Sequence, residues 1–206
     1  MAAAGAMAGA RQMRRKPLYL APHSVAQRFR LCIVAMLTAI LLAYDAHAQP
    51  LRRDAVTRSL ASLVEACVEG LVADAVLAGA PGRGLDKVAD EAGCELVEAE
   101  QMSEGLAQAL AAARREKILL LNAGYAVERG FVDEVNDAFA YGGGDRCYVL
   151  RAAPASLVTR LIPRLAAPAG IIARKSALRA QASADLSRLA RRLRCSELSS
   201  SARRTF

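Results

Sequence analysis

The chain has 206 residues, of which 54% are hydrophobic and 23% charged. That suits one folded domain and excludes a disordered or fibrous chain. Aromatic residues make up 4% and tryptophan is absent, too few rings for the stacking platforms of single-stranded nucleic-acid binders, so no nucleic-acid partner is expected. The net charge of +8 is uneven. Residues 1–35 carry six basic residues and no acid, and residues 174–206 carry nine basic and two acidic residues. The stretch between them is mildly acidic, so any peripheral contact with a membrane would run through the basic ends.

Two readings of residues 11–48 compete. A basic stretch, the apolar run Leu31 to Tyr44 and Ala46-His47-Ala48 follow the order of a secretory signal. Leu37 to Tyr44 (LTAILLAY) equally has the continuous apolar character of a parallel strand covered on both faces. A discarded signal cannot also be a core strand. The strand reading makes residues 1–35 a basic extension before Met36 and the chain cytoplasmic; the signal reading makes it exported.

A helix is expected from Asp54, a candidate N-cap, to Gly70, with apolar residues at helical spacing from Val56 to Val68. Leu71 to Gly79 reads as a strand, and Gly79-Ala80-Pro81-Gly82-Arg83-Gly84 as a glycine-rich turn into a helix from Leu85 to Ala92, closed by Gly93. Cys94 to Ala99 gives a short strand, and a helix begins at Ser103-Glu104 and runs through Leu106, Leu110 and Ala113. Lys117 to Leu121 (KILLL) is an apolar strand ending in Asn122-Ala123-Gly124. Phe131 to Phe139 is helical, Gly142-Gly143-Gly144 interrupts, and Arg146 to Arg151 is a strand. Helical spacing returns from Ala155 to Leu165, followed by a strand over Gly170 to Ala173, a basic helix from Asp185 to Leu193 and a loose tail over 195–206. Strands alternating with helices on short connections imply a mostly parallel sheet with helices on both faces.

The five cysteines are odd in number, irregularly spaced and without a C-x-x-C pair, which argues against a disulfide framework and against a zinc site, and favours a reduced, cytosolic chain. The two histidines, His23 and His47, form no metal-ligating pair.

The order of these pieces resembles the family 2 glycosyltransferases, whose GT-A fold is a Rossmann-like α/β sheet. The resemblance spans residues 36–194. Tyr44-Asp45 fits the family's P-T-Y-N-E-like turn, and Val72 to Cys94 its V-I-V-V-D-G-G-S-T-D-G-T and V-A-D-x-A-G-C stretch, with Val88-Ala89-Asp90-Glu91-Ala92-Gly93-Cys94 the nearest match. Leu119 to Gly124 falls on the L-x-L-D-A-D strand, and Asp185-Leu186 on the end of an E-D-x-D-L motif.

The resemblance implies a nucleotide-sugar partner and a site made of Tyr44, Asp45, Gly79, Gly82, Arg83 and Asn122. It also implies losses. Ala78 stands where a carboxylate holds the nucleotide base, Arg83 replaces a loop aspartate, and Asn122 and Gly124 replace the D-x-D carboxylates that hold a divalent cation. No metal or other cofactor is expected. The catalytic base maps to Ala182 or Ser183, which cannot act as one, leaving Asp185 as the nearest carboxylate. The expected function is therefore a glycosyltransferase-like protein with a degenerate donor site. A non-catalytic interaction protein on the same scaffold, docking through its basic C-terminal helix, is the alternative.

Overall fold

The computed structural model describes residues 37–45, 51–141, 146–181 and 184–205. Eight strands form one sheet: β1 (Leu37–Ala43), β2 (Val72–Gly79), β3 (Glu95–Glu98), β4 (Lys117–Asn122), β5 (Tyr125–Val127), β6 (Tyr148–Ala152), β7 (Pro168–Arg174) and β8 (Ser196–Arg204), in the order β3-β2-β1-β4-β7-β6-β8-β5. β1, β2, β3 and β4 are mutually parallel. β7 is antiparallel to both β4 and β6, β8 is parallel to β6, and β5 is antiparallel to β8. Two strands therefore run against the rest. The fold is the mixed, mostly parallel α/β sheet expected from the sequence.

The helices are α1 (Arg53–Ala61), α2 (Val64–Val68), α3 (Leu85–Ala92), α4 (Met102–Ala112), α5 (Phe131–Tyr141), α6 (Leu157–Leu161), α7 (Lys175–Arg179) and α8 (Leu186–Arg192). Two apolar clusters sandwich the sheet, and β1 feeds both because its side chains alternate. Leu37, Ala39, Leu41 and Ala43 join Val56, Leu85 and Phe131 on one face; Ile40, Leu42 and Tyr44 join Leu106, Leu110 and Leu189 on the other. Every residue of β1 is buried, including Thr38, whose hydroxyl donates to Asp74 Oδ1 at 2.7 Å and accepts the Arg115 N–H at 3.1 Å. Among the described residues no helix is long and apolar enough to cross a membrane.

Several boundaries differ from the sequence reading. The first helix starts on Arg52 as N-cap, with Asp54 in its first turn, and it breaks at Ser62 and Leu63 into α1 and α2. The apolar spacing persists through that break, which is why periodicity alone joins the two. The helical stretch after β6 is one short helix and a 3-10 turn over Pro163–Leu165, because Pro163 cannot continue the i to i−4 ladder. The glycine run over 142–144, His23, His47 and residues 1–35 lie outside the described residues.

Two expectations are corrected. The tail is not loose: Ser196–Arg204 is β8, seated between β6 and β5 with Leu198 and Ala202 turned into the core. Its other positions are serine, glutamate and arginine, so only two apolar residues announce it. The cysteines are not all reduced: Cys147 and Cys195 form a disulfide between the start of β6 and the α8–β8 junction, with Cα atoms 4.5 Å apart. Spacing could not show this, because 48 residues separate the pair and only the sheet brings β6 beside β8. Among the described residues Cys67 and Cys94 remain thiols, and burial raises the pKa of each.

α5 holds β8 in place. The Glu134 carboxylate accepts the backbone N–H groups of Ser199 and Ser200, the latter at 2.7 Å, and Glu128 accepts the Ser201 hydroxyl. Partial burial pushes the Glu134 carboxyl up, but hydrogen bonding from Ser200 and Ser199 outweighs it and holds the group below its usual range.

A chain beginning at Gln49 lacks β1 and should fail to fold, while one beginning at Met36 should give a cooperative transition by circular dichroism. Several buried aliphatic side chains at about 1.5 to 3 kcal/mol each match the whole stability of a domain. Stability should also depend on acid through Glu134. Its folded pKa lies below the unfolded value of about 4.3, so its contribution is complete above that value and is lost as pH falls through the folded pKa. Glu134→Gln should cost roughly 1 kcal/mol at neutral pH in urea titrations, with a smaller penalty at the acid end. A penalty independent of pH would contradict the charged role.

Candidate functional site

The parallel register delivers three chain segments to one edge of the sheet. Ala43 pairs with Gly79 and Leu42 with Asn122, so Tyr44-Asp45, the Gly79–Gly84 loop and Asn122-Ala123-Gly124 all emerge together. The carboxyl ends of parallel strands are where open α/β sheets bind ligands.

At this edge Arg83 Nη2 pairs with Asp45 Oδ2, while Asp45 Oδ1 accepts the Leu51 N–H at 2.7 Å. Both side chains keep solvent access, 43% for Arg83 and 38% for Asp45. The Leu51 N–H holds the Asp45 carboxyl below its ordinary range, and with the hydrogen bond and charge of Arg83 it outweighs the opposing effect of burial. Arg53, at the start of α1, donates from Nε to the Arg83 carbonyl at 3.1 Å. Its guanidinium lies against Gly84, which has φ +65° and caps α3. A side chain at Gly84 would both collide with Arg53 and require a left-handed backbone. The α3 N-terminus has no side-chain cap, which leaves its first N–H groups without that partner.

The Asn122-Ala123-Gly124 segment is pinned from below. The Ala123 N–H bonds to the Leu42 carbonyl at 2.9 Å, and the Gly124 N–H to Ser59 Oγ at 2.9 Å. Ser59 is fully buried and also donates to the Ala55 carbonyl. The end of the supposed tail closes the same corner: the Thr205 N–H bonds to the Gly124 carbonyl at 3.0 Å, and Arg58 donates to the Thr205 carbonyl at 2.7 Å. Gly124 has φ +88°, a left-handed conformation that side-chain-bearing residues adopt uncommonly.

Asp45, Gly79, Gly82, Arg83 and Asn122 are thus brought to one edge. Tyr44 is not presented there. It is buried in the cluster beneath α4, its hydroxyl donating to the Ala99 carbonyl at 3.1 Å and packed so closely on Gly105 that a Cβ there would clash. Burial, with the charge of Glu104, raises its pKa, and its placement is that of a core residue. Asp185 is the N-cap of α8, accepting the N–H groups of Ser187 at 2.8 Å and Arg188 at 3.4 Å. A carboxylate occupied in this way is poorly placed to be a base. Ala182 and Ser183 lie outside the described residues.

Sequence reasoning missed Arg53 and Ser59. A signal for Arg53 existed: Arg52-Arg53 opens a helix, where the macrodipole favours acids. Ser59 reads as one polar residue among helical apolar ones, and only tertiary contact reveals its bond to Gly124.

A divalent cation does not fit this edge. Asn122 offers one amide oxygen, Gly124 no side chain, and Asp45 is engaged by Arg83 and Leu51, whereas such ions take six or more hard oxygens with carboxylates among them. Among the described residues no group of three potential ligating side chains occurs.

No family model matches the sequence, and no curated protein matches it either. The structure does match solved ones. Glucosyl-3-phosphoglycerate synthase from Mycobacterium tuberculosis, in complex with phosphoglyceric acid, superposes with a TM-score of 0.54 at 15% identity over 80% of this chain and 64% of that chain. The same enzyme in complex with Mn²⁺, UDP-glucose and phosphoglyceric acid gives 0.53 at 15% identity over the same shares. A further mycobacterial protein gives 0.51 at 17% identity over 80% of this chain and 60% of that one. The fold is GT-A. The chain spans less than two thirds of the length of these neighbours.

Ser59→Ala should leave the Gly124 N–H without its partner in a dry corner, at a cost of about 1 to 3 kcal/mol in the urea unfolding free energy. Hydrogen exchange should quicken at Gly124 and Thr205 more than in β1. Uniform loss of protection across the sheet would show that Ser59 matters for packing alone.

Proposed function

We propose that this chain is a family 2 glycosyltransferase-like domain that binds a nucleoside diphosphate sugar at the strand-end edge, with arginine in place of a carboxylate-held metal. The observation that carries the reading is the arrangement of Arg83 and Arg53 on the Gly79–Gly84 loop, beside the side-chain-uncapped N-terminus of α3. A diphosphate needs compensating positive charge, which GT-A enzymes of this kind draw from a cation. Guanidinium forks and helix N–H groups supply the same charge through paired hydrogen bonds. The neighbours' complexes with UDP-glucose support a nucleotide sugar as the ligand class.

In this reading the ligand phosphates replace Asp45 as the partner of Arg83, and Asn122 and Asp45 face the nucleotide. Transfer to an acceptor is the weaker half, because Asp185 caps a helix. One observation favours the alternative of an interaction protein that retains the scaffold only: Arg83 already has a carboxylate partner within the chain. The Cys147–Cys195 disulfide bears on compartment, since such bonds persist mainly under oxidising conditions. It weighs against the cytoplasmic placement expected from the cysteine spacing.

Calorimetry with UDP-, GDP- and dTDP-sugars, with and without Mn²⁺, tests the proposal. At least one should bind without metal, and Arg83→Ala should weaken that binding by about 1.5 to 3 kcal/mol, the range for hydrogen bonds to charged groups. Absence of binding by every nucleotide sugar overturns it and leaves the interaction protein. Binding that requires Mn²⁺ overturns the arginine assignment.

A further inference from the structure

At the opposite edge of the sheet, among the strand starts, lies a cleft of about 380 Å³ between β6, the end of β7, α7 and the α8–β8 junction. The register fixes its position: Arg174 of β7 pairs with Lys117, the first residue of β4, and Tyr148 of β6 with Ser196 of β8. Of the described residues that line it, Arg146, Arg174 and Arg194 are basic, none is acidic, and Ser196 adds a hydroxyl. The Cys147–Cys195 disulfide joins two of its walls, one bearing Arg146 and the other Arg194.

Arg194 is held there against a backbone preference. It is the one non-glycine residue with positive φ, +50°, among the described residues. It closes α8 in a Schellman turn, its N–H bonding to the Arg191 carbonyl and the Cys195 N–H to the Ala190 carbonyl. α3 ends in the same turn, with N–H bonds from Gly93 to Asp90 and from Cys94 to Ala89, and there the left-handed residue is Gly93. The molecule therefore contains the unstrained solution and departs from it at the cleft. Compensating the α8 dipole does not explain the arginine, since Arg191 and Arg192 already sit in the last turn. Strain at a single side chain lining a cleft is a pointer to ligand contact.

We infer that this cleft is a second anion site, built for a phosphate-bearing small molecule of the phosphate monoester or diphosphate class. Arginine suits it because its fork matches phosphate oxygens in pairs. An open cleft of this size, with three arginines at its rim, suits one such group; a nucleic-acid backbone would call for a stripe of charge. The disulfide fixes the spacing of Arg146 and Arg194, so less freedom is lost on binding. The inference is independent of the nucleotide site, which lies at the other ends of the strands.

The test is calorimetry of the full, oxidised chain with inorganic phosphate and with pyrophosphate, in wild type, Arg83→Ala, Arg194→Gly and Arg146→Gln. Pyrophosphate should bind wild type, and binding at this cleft should survive Arg83→Ala, which separates it from any binding at the nucleotide edge. Arg194→Gly should weaken it at least tenfold while raising the melting temperature, because glycine takes the left-handed turn without strain. Arg146→Gln should weaken it without that rise. Failure of pyrophosphate to bind, binding unchanged in Arg194→Gly, or a fall in melting temperature in that variant overturns the inference. So does association with phosphatidic acid vesicles when neither soluble anion binds, which would make the patch a lipid-surface contact.

Discussion

Burial of β1 on both faces is the constraint on which the molecule rests. Its seven residues lie between β2 and β4, and its alternating side chains contribute to both apolar clusters. A central strand has no free edge and no solvent face, so its register is fixed by packing on two sides at once. Because β1, β2 and β4 end together, that register also decides which residues meet at the carboxyl edge. One slipped residue in β1 would exchange its two faces and carry Asp45 away from Arg83.

The candidate site inherits its rigidity from this sheet and its chemistry from the loops. GT-A enzymes bring charge to a diphosphate by holding a cation with carboxylates. In this chain the same edge carries two arginines near the glycine loop and an amide where a carboxylate is expected. At the loop the Arg83 guanidinium and the Asp45 carboxylate compensate each other. Asp45 balances Arg83 within the chain, so under the proposed reading an anion would exchange one partner for another. That exchange would carry little penalty, because both side chains are partly solvated and exposed pairs are weak.

What the sequence made legible follows from where its signals are strong. The strand over Leu37–Ala43, the helix over Leu85–Ala92 and the strand from Lys117 are set by runs of apolar residues and by glycine punctuation, and the structure has them within a residue or two. β8 escaped because a strand covered by few apolar neighbours needs only Leu198 and Ala202, and a serine-rich segment without alternation reads as tail. The Cys147–Cys195 bridge was invisible for a related reason: it depends on β6 lying beside β8, a pairing that no local pattern encodes. At the site, the glycine loop and Asp45 were legible as motif, whereas Ser59 and Arg53 act only across tertiary contacts. Tyr44 shows the opposite error. Its position in a familiar turn pointed outward, but alternation in β1 puts it on the buried face with Ile40 and Leu42.

Left-handed backbone positions recur where the loops leave the sheet. Gly84 and Gly124 border the candidate site with φ of +65° and +88°, and each is enclosed by bonds that hold its conformation: Arg53 over Gly84, and Ser59 with Thr205 on Gly124. Thr205, just past β8, bonds to Gly124, so this corner and the last strand hold each other in place. Arg194 is the same constraint met in the other direction: where glycine would be unstrained, a charged side chain is kept at the cost of strain.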